Sequence, residues 1–339
     1  MLTLRSLSLL AIGSATFVAG PALAETKLLV DVYFPRTHAL YLGWVQPFQA
    51  DVAKATSGSV AITTSGSRLA PSKRQWESVA KGVSDVTVQF VNWQRQRLFL
   101  PQVAGLPFNF SSGAQSSVAM WRTHKKFFES ANEYKGMKLL SFIVSSGNHF
   151  MNGTRPLEKI GDFKGLKIRV SAGDQQKMVS LLGASAVTSS GSQIFEFVSK
   201  GVVDGAAGPH YMATTYKIAR YIKYATDVPG TIGATIFGVY MNQKKWDGLS
   251  AAERKAITSV SGERIARRGG AAFDSNSNKG RKAMVAQGVK FSTASPELIA
   301  EMKKRWAPIT NAWLEKAAKR NVDGKAAIKF LRAQAFASN

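Results

Sequence analysis

The sequence predicts an α/β protein of two lobes, each an open β-sheet flanked by helices, with long helices towards the C-terminus. Three observations favour this fold class. Strand-like and helix-like segments alternate in two separate stretches, which is typical of open sheets with crossover helices. A chain of 339 residues is long enough for two lobes of ordinary size. Its composition, with 45% hydrophobic and 19% charged residues, excludes a disordered chain.

The first alternating stretch lies in the N-terminal third. It predicts strands at residues 28–34, 60–63 and 86–91, and helices at residues 38–56 and 76–81. Ligands of open sheets lie in the loops that follow the strands. In this lobe those loops are residues 34–36, 65–69 and 92–95.

The second stretch repeats the pattern in the middle of the chain. It predicts strands at residues 166–170, 186–187 and 202–206, and helices at residues 174–182 and 190–200. Asp174 and Ser190 are N-cap residue types, and Gly183 and Gly201 suit the position that follows a helix. A later strand, residues 235–241, is long enough to return to the first sheet.

The remainder of the chain predicts helices. Residues 251–287 are Ala-rich and charged, and we expect an interruption near Gly269-Gly270 or at residues 276–280. Two amphipathic helices follow, at residues 296–319 and 324–336. We therefore predict lobe I as residues 25–147 with about 236–278. Lobe II and the C-terminal helices would comprise residues 148–235 with about 279–339.

Residues 1–24 predict a secretory signal peptide. Arg5 provides a positive start, residues 7–18 are mostly apolar, and Ala22-Leu23-Ala24 is a small-x-small cleavage site. The mature chain would begin near Glu25 and act in the periplasm. No later stretch offers 18 uninterrupted apolar residues, so we expect no membrane span.

Few residues of this chain suit catalysis or metal binding. The absence of cysteine excludes disulfides, thiolate metal sites and cysteine nucleophiles. No two of the four histidines are four residues apart, so we expect no metal site, and nothing indicates a cofactor. Hydrolase motifs are missing, apart from an S-x-x-K match at residues 78–81 that lacks its K-T-G partner. We therefore expect no enzyme and no catalytic residues.

The net charge is strongly positive. The chain has 45 Lys and Arg against 21 Asp and Glu, a net of +24, with much of the excess in the C-terminal third, as at Lys303-Lys304-Arg305. Such a balance is typical of nucleic-acid-binding proteins, but the export signal and the lack of their motifs argue against nucleic acid as a partner. An exported polyanion- or envelope-binding protein remains an alternative, and steep weakening by salt would identify it.

Two arginines in the second lobe suggest a binding site. Arg155 follows a short polar run, and Arg169 lies near the carboxyl end of the strand at residues 166–170, where ligands of open sheets lie. A guanidinium is permanently charged and its planar fork matches the two oxygens of a carboxylate. The residues alone leave two interpretations open, namely carboxylate binding and salt bridges between elements.

The region around these arginines resembles the extracytoplasmic solute-binding subunits of tripartite ATP-independent periplasmic (TRAP) transporters of the DctP type. The most specific match is residues 162–170 (DFKGLKIRV). Further matches are residues 65–69 (SGSRL), 79–85 (VAKGVSD), 106–108 (LPF), 152–157 (NGTRPL), 182–184 (LGA) and 201–205 (GVVDG) with Pro209. The resemblance covers most of residues 27–260.

This resemblance implies a periplasmic-binding-protein-like clamshell that closes on an organic acid and delivers it to integral-membrane TRAP permease subunits. The family's carboxylate-binding arginine corresponds to Arg169, and Arg155 corresponds to a supporting arginine. Closure would be a hinge motion near residues 145–149 and 233–237. A role in which the closed form contacts a membrane sensor uses the same fold and remains open, and the neighbouring genes would separate the two.

The predicted ligand-binding residues come from both lobes. They are Phe34, Gln89, Trp93, Arg155, Arg169, Gln193, Gly208, His210 and Tyr211. Gly208 stands where several acid-sugar-binding members carry Asn, so a hydrogen-bonding group is missing there. Phe90 joins the aromatic residues of this set as a candidate wall of the site, although core packing explains each aromatic residue equally well. We therefore expect a monomer that binds a less polar or aromatic acid.

Overall fold

The computed structural model describes residues 25–337, which form two mixed β-sheets with helices packed against them. The strands are β1 (Thr26–Val30), β2 (Val60–Thr64), β3 (Val86–Phe90), β4 (Met137–Val144), β5 (His149–Asn152), β6 (Lys167–Val170), β7 (Ser185–Thr188), β8 (Gly205–Gly208), β9 (Tyr224–Asp227), β10 (Ile236–Asn242) and β11 (Lys290–Thr293). The helices are α1 (Gln46–Ala55), α2 (Gln75–Ala80), α3 (Gly113–Thr123), α4 (Gln175–Leu181), α5 (Ile194–Ser199), α6 (Met212–Thr215), α7 (Gln243–Asp247), α8 (Ala251–Ser259), α9 (Glu263–Ala286), α10 (Pro296–Ala318) and α11 (Gly324–Ala335). The predicted fold class is confirmed. The predicted signal peptide, residues 1–24, lies outside the described residues.

The first sheet has the strand order β2-β1-β3-β10-β4. Strands β1, β2 and β3 are parallel, and β10 lies antiparallel between β3 and β4. Because β10 follows strands β5 to β9 of the second sheet in sequence, the chain returns to the first sheet as predicted for residues 235–241.

The second sheet has the order β11-β9-β5-β8-β6-β7. Strands β6, β7 and β8 are parallel, and β5 is antiparallel to both β8 and β9. The carboxyl ends of β6, β7, β8 and β9 therefore share one edge with the first residue of β5. We call this edge, and the corresponding edge of β1, β2 and β3 in the first sheet, the carboxyl edges.

Two connecting segments join the carboxyl edges directly. Residues 145–148 lead from the end of β4 to the start of β5, and residues 228–235 lead from the end of β9 to the start of β10. They run side by side, since Ser145 N donates to Thr235 O (2.8 Å) and Asn148 N donates to Gly233 O (3.0 Å). The two carboxyl edges consequently face each other.

Helix α9 is continuous, so the predicted interruption near Gly269-Gly270 or at residues 276–280 is wrong. The break falls earlier, between α8 and α9, where Gly262 has a positive φ. The two glycines allow close packing instead, since a Cβ at Gly269 would overlap the Ile143 side chain and one at Gly270 would overlap the backbone of Gly113. This packing offsets the roughly 1 kcal/mol that each glycine costs inside a helix.

The first strand is shorter than predicted and ends at Val30. The next residue, Asp31, is fully buried and accepts hydrogen bonds from the backbone N of Leu69 (3.0 Å), the backbone N of Ala70 (3.0 Å) and Gln75 Nε2 (2.7 Å). These bonds tie the chain to the loop after β2, so Phe34 lies in a loop and not in the sheet. The sequence patterns did not predict strands β4, β5, β9 and β11.

The two C-terminal helices pack in different places. Helix α10 contacts α4 beside the second sheet, whereas α11 contacts α3 beside the first. The lobe boundaries drawn from the sequence stay a prediction. Within residues 25–337, no helix has both the length and the apolar character needed to cross a membrane.

Candidate functional site

The candidate site lies between the two facing carboxyl edges. The edges are in contact on one side, where Arg95 Nη2, after β3, pairs with Asp174 Oδ1, before α4, at 2.6 Å. In the same place Asn92 Nδ2 donates to Ala172 O (3.2 Å). Gly173 fits here with a left-handed φ of 121°, because a Cβ would meet the Asn92 side chain. The two lobes are therefore linked across the cleft by polar contacts.

Eight rings from five separate parts of the chain form one aromatic cluster between the lobes. Its members are Tyr33, Phe34, His38, Phe90, Trp93, Tyr211, Phe237 and Phe273. Phe237 stacks on Phe273 with ring centroids 5.7 Å apart, and Phe90 contacts Phe237 at 6.1 Å and Trp93 at 5.6 Å. Burial lowers the pKa of His38 to about 4, so its ring is neutral at neutral pH.

Tyr211 connects this cluster to the second lobe. It lies between β8 and α6, and its ring centroid is 5.6 Å from that of Phe273 on α9. It packs against the hydrophobic cores of both lobes. Burial raises the pKa of its phenol group, so the ring stays neutral.

Two of the predicted first-lobe loops border an open cavity. The cavity measures about 540 Å³ and is lined by residues of the loops after β1 and β2, among them Phe34, Arg36 and Arg68. Phe34 belongs both to the lining of this cavity and to the aromatic cluster.

Arg169 lies at the carboxyl edge of the second sheet and is only 5% exposed. Its guanidinium donates to Ser189 O from Nη2 (2.6 Å), to Ser189 Oγ from Nε (3.2 Å) and to Ser171 Oγ from Nη1 (3.3 Å). Burial lowers the pKa of the group, while the nearby phenols of Tyr216 and Tyr211 act in the opposite direction. In the described part of the chain, no carboxylate pairs with this buried cation.

Arg155 lies away from Arg169, so the structure does not bring the two predicted arginines together. Its Nε donates to Asp162 O (2.9 Å) and its Nη2 to Lys164 O (2.6 Å), both in the turn before β6. Arg169 lies near the other end of the same strand. The Arg155 guanidinium therefore holds a backbone turn at the edge of the sheet opposite the cleft.

The side chains of Gln89 and Gln193 are also engaged in local structure. Gln89 is buried, and its Nε2 donates to Ser72 O (3.2 Å) and Lys73 O (3.0 Å) ahead of α2. The exposed Gln193 accepts a hydrogen bond from Ser190 N (3.1 Å) in a capping box. Neither residue reaches the aromatic cluster through the contacts observed.

Gly208 is the last residue of β8, at the carboxyl edge of the second sheet. The space that a side chain would take at this position is already filled. A Cβ at this position would overlap the sulfur of Met212, which belongs to α6. An apolar thioether therefore occupies the space that a residue with a side chain would need. The site at this point is apolar.

Three donor side chains meet at the same edge. They are His149 at the start of β5, His210 just after β8 and Asp227 at the end of β9, with one donor atom from each within 4.8 Å of the others. The His rings stack with centroids 4.8 Å apart. Burial lowers the pKa of His149 to about 4, with His210 and Arg281 adding to the effect. Burial disfavours ionisation of Asp227, but His210, His149 and Arg281 outweigh it and hold the pKa at about 2.

The sequence analysis missed several residues of this region. Phe237 and Phe273 lie on elements far apart in sequence, and their apolar character alone is equally typical of a core. His149 and Asp227 become neighbours only through the antiparallel pairing of β5 and β9. The spacing of histidines along a helix does not detect donors brought together by three strands.

Comparison with known proteins identifies the family. Residues 32–317 match the family described as DctP, bacterial extracellular solute-binding protein, family 7. The outer membrane transporter protein TsaT of Comamonas testosteroni is 35% identical over 335 residues, which cover 98% of each chain. The C4-dicarboxylate-binding periplasmic protein DctP of Rhodobacter capsulatus is 28% identical over 210 residues, which cover 61% of each chain.

Solved structures of similar proteins share the fold. A TRAP periplasmic solute-binding protein from Bordetella bronchiseptica, with bound (R)- and (S)-mandelate, superposes with a TM-score of 0.84 at 28% identity, covering 91% of this chain and 98% of that one. One from Desulfovibrio salexigens gives a TM-score of 0.83 at 25% identity, covering 93% and 99%. These relatives are periplasmic solute receptors of transporters and not enzymes. The chain accordingly belongs to the DctP family of extracellular solute-binding proteins, the periplasmic binding components of TRAP transporters.

Proposed function

We propose that this protein captures an aromatic organic acid between its lobes, holds the carboxylate with Arg169, and delivers the acid to the membrane permease of a TRAP transporter. The observation that supports this most directly is the buried Arg169 guanidinium at the cleft edge, which has no carboxylate partner among the described residues. The ligand's carboxylate would supply the missing countercharge.

The energetics of a closed cleft favour arginine for this task. A carboxylate taken out of water loses its solvation and needs a partner that keeps its charge when buried. Arginine does so, since a guanidinium is not deprotonated in proteins. Ser189 and Ser171 hold the guanidinium in place before the ligand arrives, which reduces the cost of ordering it on binding.

The aromatic cluster supports a ring-bearing ligand. Its rings bring apolar surface from the first lobe to Tyr211 of the second, and burying a phenyl group there would contribute about 1.5–3 kcal/mol. The sulfur of Met212 beside Gly208 adds apolar surface where a polar contact would otherwise lie. A relative 28% identical, from Bordetella bronchiseptica, binds mandelate, an aromatic hydroxy acid.

Delivery would use opening and closing of the lobes. The segments at residues 145–148 and 228–235 are short and run antiparallel to each other, so they suit a hinge. The Arg95–Asp174 pair, which spans the cleft, would form on closure. The signal peptide predicted at residues 1–24 would send the protein to the periplasm, where it would act as a monomer.

A ligand panel tests this proposal. Thermal unfolding of the purified mature chain is measured with mandelate, benzoate and their amides, and with aliphatic acids of similar size. An acid at about 100 times its Kd should stabilise the native state by about 2.7 kcal/mol, and its amide should not. The Arg169→Ala variant should lose the response, whereas Arg220→Ala, which removes an exposed arginine of the same lobe, should keep it.

Two outcomes would count against the proposal. If acids and amides stabilise the protein equally, or if Arg169→Ala binds the acid within a few-fold of the wild type, the carboxylate is not held by Arg169. If aliphatic acids bind as tightly as aromatic ones, the aromatic cluster does not select the ligand.

A further inference from the structure

We infer that His149, His210 and Asp227 form a binding site for a divalent transition-metal ion such as Zn²⁺. The inference concerns residues other than Arg169 and does not depend on carboxylate capture. The three side chains come from three different strand ends at the carboxyl edge of the second sheet. On this face of the sheet, the pairing of β5 with β8 and β9 places His149 opposite Gly208 and next to Asp227.

The spacing of the donor atoms suits a metal ion. His210 Nε2 is 2.9 Å from Asp227 Oδ1, His149 Nδ1 is 3.9 Å from the same oxygen, and one donor atom from each residue lies within 4.8 Å of the others. A cation among atoms spaced in this way lies roughly 2–2.5 Å from each of them. Zn²⁺ makes bonds of about 2.0–2.2 Å with imidazole and carboxylate, so small side-chain shifts would complete the site.

Two of the donor atoms are buried without a hydrogen bond. His210 is 8% exposed, and its Nε2 and the Oδ1 of Asp227 have no properly aligned partner, although they are close to each other. Buried polar atoms are rarely left in this state because they lose solvation without compensation. Their lone pairs would converge on an ion, which would satisfy both.

A neighbouring arginine fixes the orientation of the Asp227 carboxylate, as groups around a metal site commonly do for the ligands. Arg281 Nη1, from α9, donates to Asp227 Oδ2 (2.5 Å), so Oδ1 remains available for the ion. The Arg281 guanidinium itself lies over the Phe291 ring, 4.0 Å from its centroid. Hydrogen bonds of this kind usually hold ligating carboxylates in the orientation that the metal needs.

The donor set selects the class of ion. Two imidazoles and one carboxylate favour Zn²⁺, Cu²⁺ or Ni²⁺ over Mg²⁺ and Ca²⁺, which prefer oxygen ligands. His149 Nδ1 also accepts a hydrogen bond from Val228 N (3.1 Å), which an ion at this nitrogen would have to displace. An ion must therefore replace this hydrogen bond and overcome the repulsion of the nearby Arg281 cation. Both costs disfavour ions that bind imidazole and carboxylate only weakly. Three protein ligands would leave a coordination position open.

Calorimetric titration of the untagged mature chain, dialysed first against a chelator, tests the inference. We expect Zn²⁺ to bind once per chain with micromolar or tighter affinity and Mg²⁺ and Ca²⁺ to give no signal. Co²⁺ should give the visible absorption of a four- or five-coordinate site. His210→Ala and Asp227→Asn should each weaken Zn²⁺ binding at least tenfold. His124→Phe, which removes a histidine buried elsewhere, is the matched control and should leave Zn²⁺ binding unchanged.

Three results would overturn the inference. The first is the lack of saturable Zn²⁺ binding by the wild-type chain. The second is binding that both variants retain, which would mean an adventitious ion only. The third is Ca²⁺ binding as tight as Zn²⁺ binding, which would indicate an oxygen site. Should His210→Ala fail to fold, as judged by circular dichroism, His210→Gln provides the same comparison with less loss of volume.

Discussion

The two arginines of the second lobe should respond in opposite ways to the same substitution. Arg169→Met removes a buried cation at the cleft, and Arg155→Met removes a cation that holds a backbone turn. We expect the first variant to lose ligand affinity with little loss of stability. We expect the second to lose stability and keep its affinity.

The magnitudes follow from the contacts of each group. In the complex, truncating one partner of a buried charge pair costs about 2–5 kcal/mol, which is roughly a 30- to 4,000-fold rise in Kd. In the free protein, replacing the unpaired Arg169 by an apolar side chain removes a desolvation penalty that offsets its three bonds to Ser189 and Ser171. For Arg155, two bonds from a charged donor to carbonyls are lost, and we expect a cost of about 1–3 kcal/mol.

Denaturant unfolding of the ligand-free proteins and calorimetric titration with the acid found in the ligand panel measure the two effects separately. We expect the two variants to exchange rank between the two assays. If Arg169→Met lowers the free energy of unfolding by more than Arg155→Met, the Arg169 guanidinium is structural. If Arg155→Met weakens binding as strongly as Arg169→Met does, the arginine pair expected from the sequence exists in solution.

Three further perturbations test other parts of the structure. Gly208→Asn should lower the free energy of unfolding, measured with denaturant, by about 1–3 kcal/mol because its Cβ overlaps the Met212 sulfur. Adding Met212→Ala should recover part of this loss, and no recovery would contradict the packing. Asp174→Asn removes the half-exposed pair with Arg95 across the cleft, so ligand affinity should fall by no more than about fivefold at low salt, and titration at high salt should abolish the difference. Burial holds the pKa of His124 at about 4 in the folded chain, against about 6.5 when unfolded, so the unfolded state binds more protons between these values. The free energy of unfolding should therefore fall by up to about 3 kcal/mol as the pH drops from 6.5 to 4, and His124→Phe should reduce this loss. An equal loss in the variant would mean that the ring takes up a proton while the chain is folded.

Local patterns in the sequence predict the strands and helices of the two alternating stretches, but not β5 and β9. The run at residues 166–170 predicts a strand with Arg169 near its carboxyl end, and the structure has β6 at Lys167–Val170. The alternation of strands and helices also predicted the two sheets, because the spacing of apolar residues and the positions of caps depend on neighbours in sequence.

Glycine shows where such local reasoning fails. Gly269 and Gly270 suggested a helix break, yet they lie inside α9, where they allow it to pack closely on Ile143 and Gly113. Whether a glycine ends a helix or permits a close approach depends on what lies opposite, and that residue is far away in sequence. At Gly208 the opposing group is the sulfur of Met212, which is near in sequence and fills the space that a Cβ would need.

The sequence by itself determined the fold class, the family and the arginine at the cleft edge, because each rests on residues close together in the chain. Only the tertiary structure decided which groups surround a ligand. The pairing of β5 with β9 joins His149 to Asp227, and the return of β10 places Phe237 against Phe273 of α9. Arg155 faces a turn because β5, which precedes it, runs away from the cleft. Such contacts depend on strand order and direction, which arise from packing of the whole chain and leave no local pattern in the sequence.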